Sequence, residues 1–403
     1  MTELSEIVAA TEAAHNQSLP ALLATVVRVQ GSAYRRPGAR MLLTTQGGWQ
    51  AGCISGGCLE SDIIRKAWWR TEGGRSVVVT YDSTVEEDAA SFDDPLSWGL
   101  GLGCNGIVHV LLERLTPGDP SCPVRFIGEC LTRRRLGVVA TIIASETPSV
   151  IGQRVLWHQD EPTHAACTVA NAGLAAQIAD AARAAFAAEG RAQMLQLESA
   201  DVLIETIRPA TSLLICGANH DAAPLARMAK SVGWQVTVVD PWVGAPPRPE
   251  RFPGAEMVLC CAPQELSDRI TVEGGTFAVV MSHNLAHDAG FLTALLPLPL
   301  AYIGVLGPRR RTERLLHALQ DEGIACSPND ARIHGPIGLD IGADDPENIA
   351  LSILAEMQAV KAARSGGFLR ERPLPIHDSA VPALPKRHLS RRLSATRKPG
   401  NAV

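Results

Sequence analysis

The stretch best suited to chemistry is Gly-Cys-Ile-Ser-Gly-Gly-Cys-Leu-Glu, residues 52–60. It places the Cys58 thiol at the end of a glycine-rich turn, directly before a segment whose apolar residues recur at helical spacing. The free N–H groups and the dipole at a helix start favour an anion, and they favour the thiolate form of a cysteine. We therefore predict an anion cradle beside a reactive Cys58. Its backbone amides come from Ser55, Gly56 and Gly57. A buried, inert thiol in a tight turn is the alternative.

Two other loops in the first third of the chain also contain residues suited to binding, namely adjacent arginines in one and a thiol among glycines in the other. Residues 31–38 form a polar loop between two predicted strands and contain adjacent arginines, Arg35 and Arg36. Guanidinium groups match phosphate oxygens, so this loop can grip a phosphate, or it can be a solvated surface loop. Residues 98–106 hold a second thiol, Cys104, among closely spaced glycines. A β-bulge or a close strand crossing would explain those glycines equally well.

The second half of the chain contains a nucleotide-binding pattern. A short apolar strand is followed by a turn from Gly217 to Asp221, a helix, and a second strand that finishes at Asp240. This βαβ arrangement predicts a Rossmann-like fold. The fingerprint is damaged, because Asn219 stands where a second glycine would let a pyrophosphate approach. The pattern therefore supports the fold much better than it supports a bound NAD(P).

Further strands predict a doubly wound parallel sheet in this region. They cover residues 257–260, 277–281 and 302–306, with helical segments between them. His283 follows one of these strands, and Arg309 follows another, at the sheet edge where ligands of open α/β sheets bind. His283 can be a ligand, a proton-transfer group or a hydrogen-bonded structural residue. Arg309 can hold an anion or simply begin the next helix.

The predicted class is α/β, with an N-terminal α/β domain followed by a Rossmann-like doubly wound parallel-sheet domain. The expected divisions are an N-terminal domain in residues 1–115, a middle α/β segment and linker in 116–209, the Rossmann-like domain in 210–365, and a disordered, basic, proline-rich tail in 366–403.

Composition excludes several classes of function. The chain has 403 residues, 46% of them apolar, and a net charge of −5, which gives no general attraction to nucleic acid. No run of about 18 apolar residues predicts a membrane span. The ten cysteines follow no metal-binding CxxC spacing, and the N-terminus has no secretory pattern, so reduced cytoplasmic thiols are expected.

Six ordered motifs resemble the XdhC/CoxI family of molybdenum-cofactor chaperones. They are GSAYRRPGARM (31–41), SGGCLE (55–60), GLGCNG (101–106), CGANHDAAP (216–224), YIGVLGPRRR (302–311) and IHGPIGLDIG (333–342). The resemblance implies that the chain binds finished molybdenum cofactor and protects it. It also implies contact with a cysteine desulfurase, which replaces a molybdenum oxo ligand by sulfur, and delivery to a xanthine dehydrogenase-type hydroxylase.

With this resemblance, the expected role is non-catalytic cofactor binding. The expected binding positions are Arg35, Arg36, Ser55, Gly56, Gly57, Cys58, Cys104, Gly217, Asp221, Asp240, His283 and Arg309. Cys58 and Cys104 are the expected metal ligands, because thiolates are soft ligands, and a persulfide relay is an alternative role for them.

Two other functions remain open at this stage. One is an NAD(P)-dependent oxidoreductase that uses His283 or Asp221 in proton transfer, and the other is a scaffold that only recruits the hydroxylase and the desulfurase. The family pattern is compatible with a homodimer, for which the sequence offers no evidence of its own.

Overall fold

A computed structural model describes residues 2–46, 48–83, 106–187, 192–242, 248–324, 326–327 and 330–373. The predicted Cys104 loop and the predicted tail beyond residue 373 lie outside this range. The described residues divide into two compact units, one within residues 3–209 and one within residues 210–373. The α/β class is confirmed, with antiparallel sheets in the first unit and a parallel sheet in the second. No helix in the described part of the chain combines the length and hydropathy needed to cross a bilayer.

The first unit begins with an antiparallel sheet, sheet A. Its strands are β1 (Ala21–Gly31), β2 (Arg40–Thr44), β3 (Gly48–Gly52), β4 (Val77–Asp82) and β5 (Gly106–Leu115), in the order β3-β2-β1-β5-β4. Helix α1 (Glu3–Asn16) precedes the sheet, and α2 (Glu60–Arg70) follows β3. Alternate β1 residues such as Leu22 and Val26 pack against Ile63 and Ala67 of α2. This period-two pattern lets one face of sheet A hold α2 in place.

A second antiparallel sheet, sheet B, completes the unit. Its strands are β6 (Gly137–Ser145), β7 (Arg154–His158), β8 (Ala166–Cys167), β9 (Ala192–Gln196) and β10 (Ala200–Ile207), in the order β8-β7-β6-β10-β9. Its helices are α3 (Pro123–Thr132) and α4 (Ala172–Ala185). Val27 and Leu111 of sheet A contact Ile143 and Leu203 of sheet B. The two sheets therefore share one interior within this unit.

Three ion pairs are buried between the two sheets. They join Arg28 to Asp201, Arg40 to Glu205 and Arg154 to Glu113. The sequence predicted one strand and one helix between residues 116 and 209. The other elements there were missed because α3, β7, β8 and β9 are short and β10 lacks polar–apolar alternation.

The second unit contains sheet C, in which every neighbouring pair of strands is parallel. Its strands are β11 (Ser212–Cys216), β12 (Gln235–Asp240), β13 (Met257–Cys260), β14 (Thr276–Val280), β15 (Leu300–Val305) and β16 (Ile333–His334). Its helices are α5 (Ala222–Ser231), α6 (Leu266–Arg269), α7 (Leu285–Leu295), α8 (Arg309–Asp321) and α9 (Pro346–Lys361).

Sheet C is doubly wound. Leu213 and Ile215 of β11 belong to the core under α5 and α9, whereas Leu214 and Cys216 belong to the core under α7 and α8. The strand order is β13-β12-β11-β14-β15-β16, so the direction of winding reverses between β11 and β14. That reversal is the topological switch point, where a crevice forms at the carboxyl ends of the strands.

Candidate functional site

The turn between β3 and α2 is held by Glu60, the first residue of α2. Its carboxylate accepts hydrogen bonds from the backbone N–H groups of Ile54 (3.1 Å), Ser55 (2.7 Å) and Gly57 (3.1 Å). The Ser55 hydroxyl donates to the same carboxylate and accepts the Leu59 amide at 3.0 Å. The turn is therefore closed around a carboxylate of its own chain.

Glu60 is only 5% exposed. Burial acts to raise the pKa of this carboxyl, but the hydrogen bonds from Ser55 and Ile54 outweigh it and hold the pKa below the ordinary value. The amides of Ser55 and Gly57, which the sequence predicted as an anion cradle, thus already face an ionised carboxylate.

Cys58 lies on the outside of this closed turn. It is the one exposed thiol among the cysteines in the described ranges. Gly57, beside it, has a φ of 114° and open space where a side chain would project. A left-handed glycine can make this bend, which most L-residues disfavour. The exposure of Cys58 excludes the alternative of a buried structural thiol.

The predicted arginine loop lies next to this turn. The Tyr34 ring is 3.9 Å from the position that a side-chain carbon would take at Gly56. Arg35 forms an ion pair with Glu3 of α1, and Glu3 also accepts the backbone N–H of Cys53 at 3.0 Å. The two motifs and the start of α1 therefore form one connected surface.

Arg35 and Arg36, the two predicted arginines, differ in the partners of their guanidinium groups. Burial acts to lower the pKa of Arg35, but Glu3 outweighs this and raises it above the ordinary value. Arg36 is half-buried, and its side chain has no hydrogen bond or ion pair to any residue that the structure describes. The guanidinium of Arg36 is therefore available to bind an added anion.

Sequence reasoning missed three residues around this turn. Glu60 was visible only as the last letter of the SGGCLE motif, and nothing in the sequence connected Glu3 to residues so far along the chain. Cys53 is a second thiol at the same turn, half-buried, and burial raises its pKa. Cys104, the second predicted metal ligand, lies outside the described residues.

A second group of predicted residues meets at the switch point of sheet C. Gly217 follows β11 with a φ of 129°, and an added Cβ there would lie 2.5 Å from the backbone oxygen of Met281. Asp221 Oδ2 lies 2.6 Å from Nε2 of His283, which follows β14 and has a positive φ of 60°. The structure thus brings Gly217, Asp221 and His283 together, although 62 positions separate the last two.

The loops at this edge are tied together. The Asn219 side-chain amide donates to the Ser282 backbone oxygen at 2.9 Å. Asp288 of α7 accepts the Ser282 hydroxyl at 2.5 Å and Arg311 Nη2 at 2.6 Å. The loops after β11 and β14 and the first turns of α7 and α8 therefore form a single hydrogen-bonded network.

The other two predicted residues of this unit make no hydrogen bond to the Asp221–His283 pair among the described residues. Asp240 ends β12, and its Oδ1 accepts the Trp242 backbone N–H at 3.0 Å. Arg309 begins α8 and lines a groove of about 340 Å³. The other lining residues of that groove come from α8 and from residues 333 and 335, with none from the loops after β11 or β14.

The switch point does not fit a dinucleotide bound in the usual way. A pyrophosphate would need the start of α5, but the negatively charged Asp221 occupies the N-cap position there. The Asn219 side chain fills the place of the second glycine and bridges to Ser282. Asp221 Oδ1 is buried without a partner among the described residues, so this edge needs a hydrogen-bond donor rather than another anion.

Comparisons with known proteins connect both units to one family. The family model described as "XdhC and CoxI family" matches residues 14–82, and the model described as "XdhC Rossmann domain" matches residues 213–357. A Bacillus subtilis protein named as a probable xanthine dehydrogenase subunit is 31% identical over 346 residues, which cover 84% of this chain and 92% of that protein.

Two further similarities extend over most of the chain. The Escherichia coli protein named "Molybdenum cofactor insertion chaperone PaoD" is 22% identical over 85% of this chain and 83% of its own length. A Bacillus halodurans crystal structure described as a xanthine dehydrogenase is 27% identical, with a TM-score of 0.71 over 93% of this chain and 98% of that one.

Proposed function

Because this chain belongs to the XdhC and CoxI family, we propose that it is an accessory chaperone for molybdenum cofactor. It binds the cofactor as cargo and delivers it to a molybdenum hydroxylase of the xanthine dehydrogenase type. The names of two relatives, a molybdenum cofactor insertion chaperone and a probable xanthine dehydrogenase subunit, support this proposal.

The observation that carries the proposal is the exposed Cys58 on a fixed turn. A chaperone must hold its cargo firmly and still release it, so its contact to the metal has to lie at an accessible surface. A thiolate is a suitable soft ligand for a sulfur-bound molybdenum centre. The other described thiols are half-buried or buried, which leaves Cys58 as the thiol best placed to meet the cargo.

The cargo also carries a phosphate, and we assign this group to Arg36. Glu60 occupies the amides of the neighbouring turn, and Glu3 pairs with Arg35. Arg36 is the remaining guanidinium of that loop, and such a group can form two parallel hydrogen bonds to a phosphate. Cys104 stays a proposed second metal ligand.

We extend the proposal to protection of the cargo during sulfuration. A surface thiol leaves the rest of the metal centre open to a second protein, so a cysteine desulfurase could reach the metal centre while the cofactor stays bound. The Cys58 thiolate could instead take the outer sulfur of a persulfide on the desulfurase, whose cysteine leaves as a thiolate, and a mass increase of one sulfur atom on Cys58 would distinguish this route.

The competing function, an NAD(P)-dependent oxidoreductase, has one favourable observation. Asp221 and His283 form a close pair that could transfer a proton. The same Asp221 stands at the start of α5, where the cofactor's pyrophosphate would have to bind. The pair therefore places a carboxylate where the oxidoreductase would need to bind an anion, and this counts against that function.

Anaerobic loading tests the chaperone proposal. Wild-type protein is mixed with free molybdenum cofactor, desalted, and assayed for molybdenum and pterin. Cys58→Ser is run beside Cys167→Ser, a half-buried thiol of sheet B that serves as the matched control. We expect near-stoichiometric retention by wild type and by the control, with a loss in Cys58→Ser. Failure of the wild type to retain cofactor would contradict the chaperone function, and full retention by folded Cys58→Ser would remove Cys58 from the site.

A further inference from the structure

The Glu60 carboxylate lies between helix α2, which is held by core packing, and the preceding turn, whose glycines leave its backbone more freedom. Ile63 and Ala67, one and two turns further along α2, are completely buried against sheet A and fix the helix in place. The turn itself contains two adjacent glycines, Gly56 and Gly57, which have more backbone freedom than other residues. Glu60 connects these two parts because its side chain begins on the helix and ends among the amides of the turn.

From this geometry we propose that Glu60 is the positioning residue for Cys58. Its carboxylate fixes the backbone on the N-terminal side of the thiol, through Ser55 and Gly57, and α2 fixes the backbone on the other side. The carboxylate, and not an anion of the cargo, satisfies the amides of the turn. This inference rests on the proposed function only where it concerns cargo retention.

A displaced Glu60 is the competing interpretation, in which an anion of the cargo takes over the amides and Glu60 swings out. The structure disfavours it. The buried Glu60 carboxylate receives four hydrogen bonds, and swinging it out of the turn would break all four. An anion of the cargo would have to accept the same four hydrogen bonds and bind Arg36 at the same time.

Three substitutions test the positioning role. Glu60→Gln keeps the shape but replaces one acceptor oxygen by a donor, so the Gly57 amide loses its carboxylate acceptor and keeps only the Ser55 hydroxyl, 3.3 Å away. Glu60→Asp keeps the charge but shortens the reach. Glu72→Gln changes an exposed glutamate just beyond the end of α2 and is the control. We expect both Glu60 variants to keep the far-UV circular dichroism of wild type, because the apolar core under α2 is untouched.

The readouts separate positioning from general stability. Retention of anaerobically supplied molybdenum cofactor should fall about tenfold or more in both Glu60 variants, as is usual when a residue that orients a metal ligand is lost. Alkylation of Cys58 by iodoacetamide should persist, because the thiol stays exposed. Glu72→Gln should match wild type in both assays. Unchanged or tighter retention by folded Glu60→Gln would overturn the positioning role and support displacement.

Two further measurements do not require that a Glu60 variant retain molybdenum cofactor. Hydrogen exchange of the Gly57 amide should be faster in Glu60→Gln, on the order of tenfold for a lost bond to a charged acceptor. Equal exchange in both proteins would overturn the inference even if no cargo binds.

In wild type, labelling of Glu60 by a water-soluble carbodiimide should stay low after cofactor loading. A rise on loading would show displacement. If wild type retains no cofactor, the proposed function fails, while the exchange experiment still decides the role of Glu60.

Discussion

Arg40 of β2 and Glu205 of β10 form an ion pair in the interior between sheets A and B, with Arg40 Nη2 2.8 Å from Glu205 Oε2. Arg40 also donates from Nη1 to the backbone oxygen of Gly38 at 2.8 Å. Gly38 has a φ of 96°, and an added Cβ there would lie 2.7 Å from Glu205 Oε1. The end of the arginine loop is therefore anchored to sheet B through two residues of the GSAYRRPGARM motif.

This ion pair leads to a stability prediction. Arg40→Met alone should lower the free energy of unfolding by about 3–5 kcal/mol, because it leaves Glu205 charged and buried without its partner. The double variant Arg40→Met/Glu205→Leu should recover most of that loss, since both charges are removed together. Urea unfolding measures both. The surface variant Arg125→Met, in an exposed pair with Glu129, should change little. A double variant no more stable than Arg40→Met would contradict the explanation.

His109 of β5 should make stability depend on pH. Burial, with a smaller effect of Arg28, lowers the pKa of His109 from 6.5 to about 4. The unfolded chain therefore binds a proton more readily than the folded protein between these two values. The stability linked to His109 is complete above about pH 6.5 and is lost as the pH falls toward about 4, by roughly 3 kcal/mol in total.

Urea unfolding between pH 4 and 8 tests this linkage. His109→Gln can keep a hydrogen bond to Thr80, whose hydroxyl lies 2.9 Å from His109 Nδ1, so its stability should fall less steeply than that of wild type below pH 6.5. A residual slope is expected, because burial also lowers the pKa of His158. His164→Gln changes an exposed histidine and should leave the wild-type slope. An identical slope in His109→Gln would exclude His109 as the source.

Gly217 should tolerate no side chain. In Gly217→Ala the new Cβ would approach the Met281 backbone oxygen, and the left-handed φ would add strain of about 1–3 kcal/mol. We expect a clear loss in the thermal midpoint of the second unit. Gly274→Ala, at a position with open space and no left-handed φ, is the control and should be close to neutral. Equal midpoints in the two variants would show that the loop after β11 can relax.

The second unit should not bind NADH or NADPH. Wild type should give no saturable change in nicotinamide fluorescence, because Asp221 repels the pyrophosphate and the Asn219 side chain fills its space. The double variant Asn219→Gly/Asp221→Ala removes both side chains. If these side chains prevent binding, the variant should gain measurable affinity for NADH or NADPH. Arg227→Gln, on the exposed side of α5, should behave as wild type. Saturable binding by wild type would contradict our interpretation of the switch point.

Much of this protein follows from local patterns in its sequence. Apolar strands alternating with helices predicted sheet C and its double winding, because burial on both faces needs apolar residues on every strand. The glycine-rich turn before α2 and the thiol within it were also visible, since glycine spacing and helical periodicity are local properties. The strand before Gly217 and the acidic end of β12 were predicted in the same way.

The tertiary structure decided which side chains meet. Glu3 pairs with Arg35, Glu205 with Arg40, and Asp221 with His283, over separations of 32, 165 and 62 positions. No periodicity encodes such pairs, because they depend on how distant elements pack and on which charges that packing buries. For the same reason the sequence predicted an open anion cradle at Ser55–Gly57, and only the folded chain shows that the Glu60 carboxylate fills it.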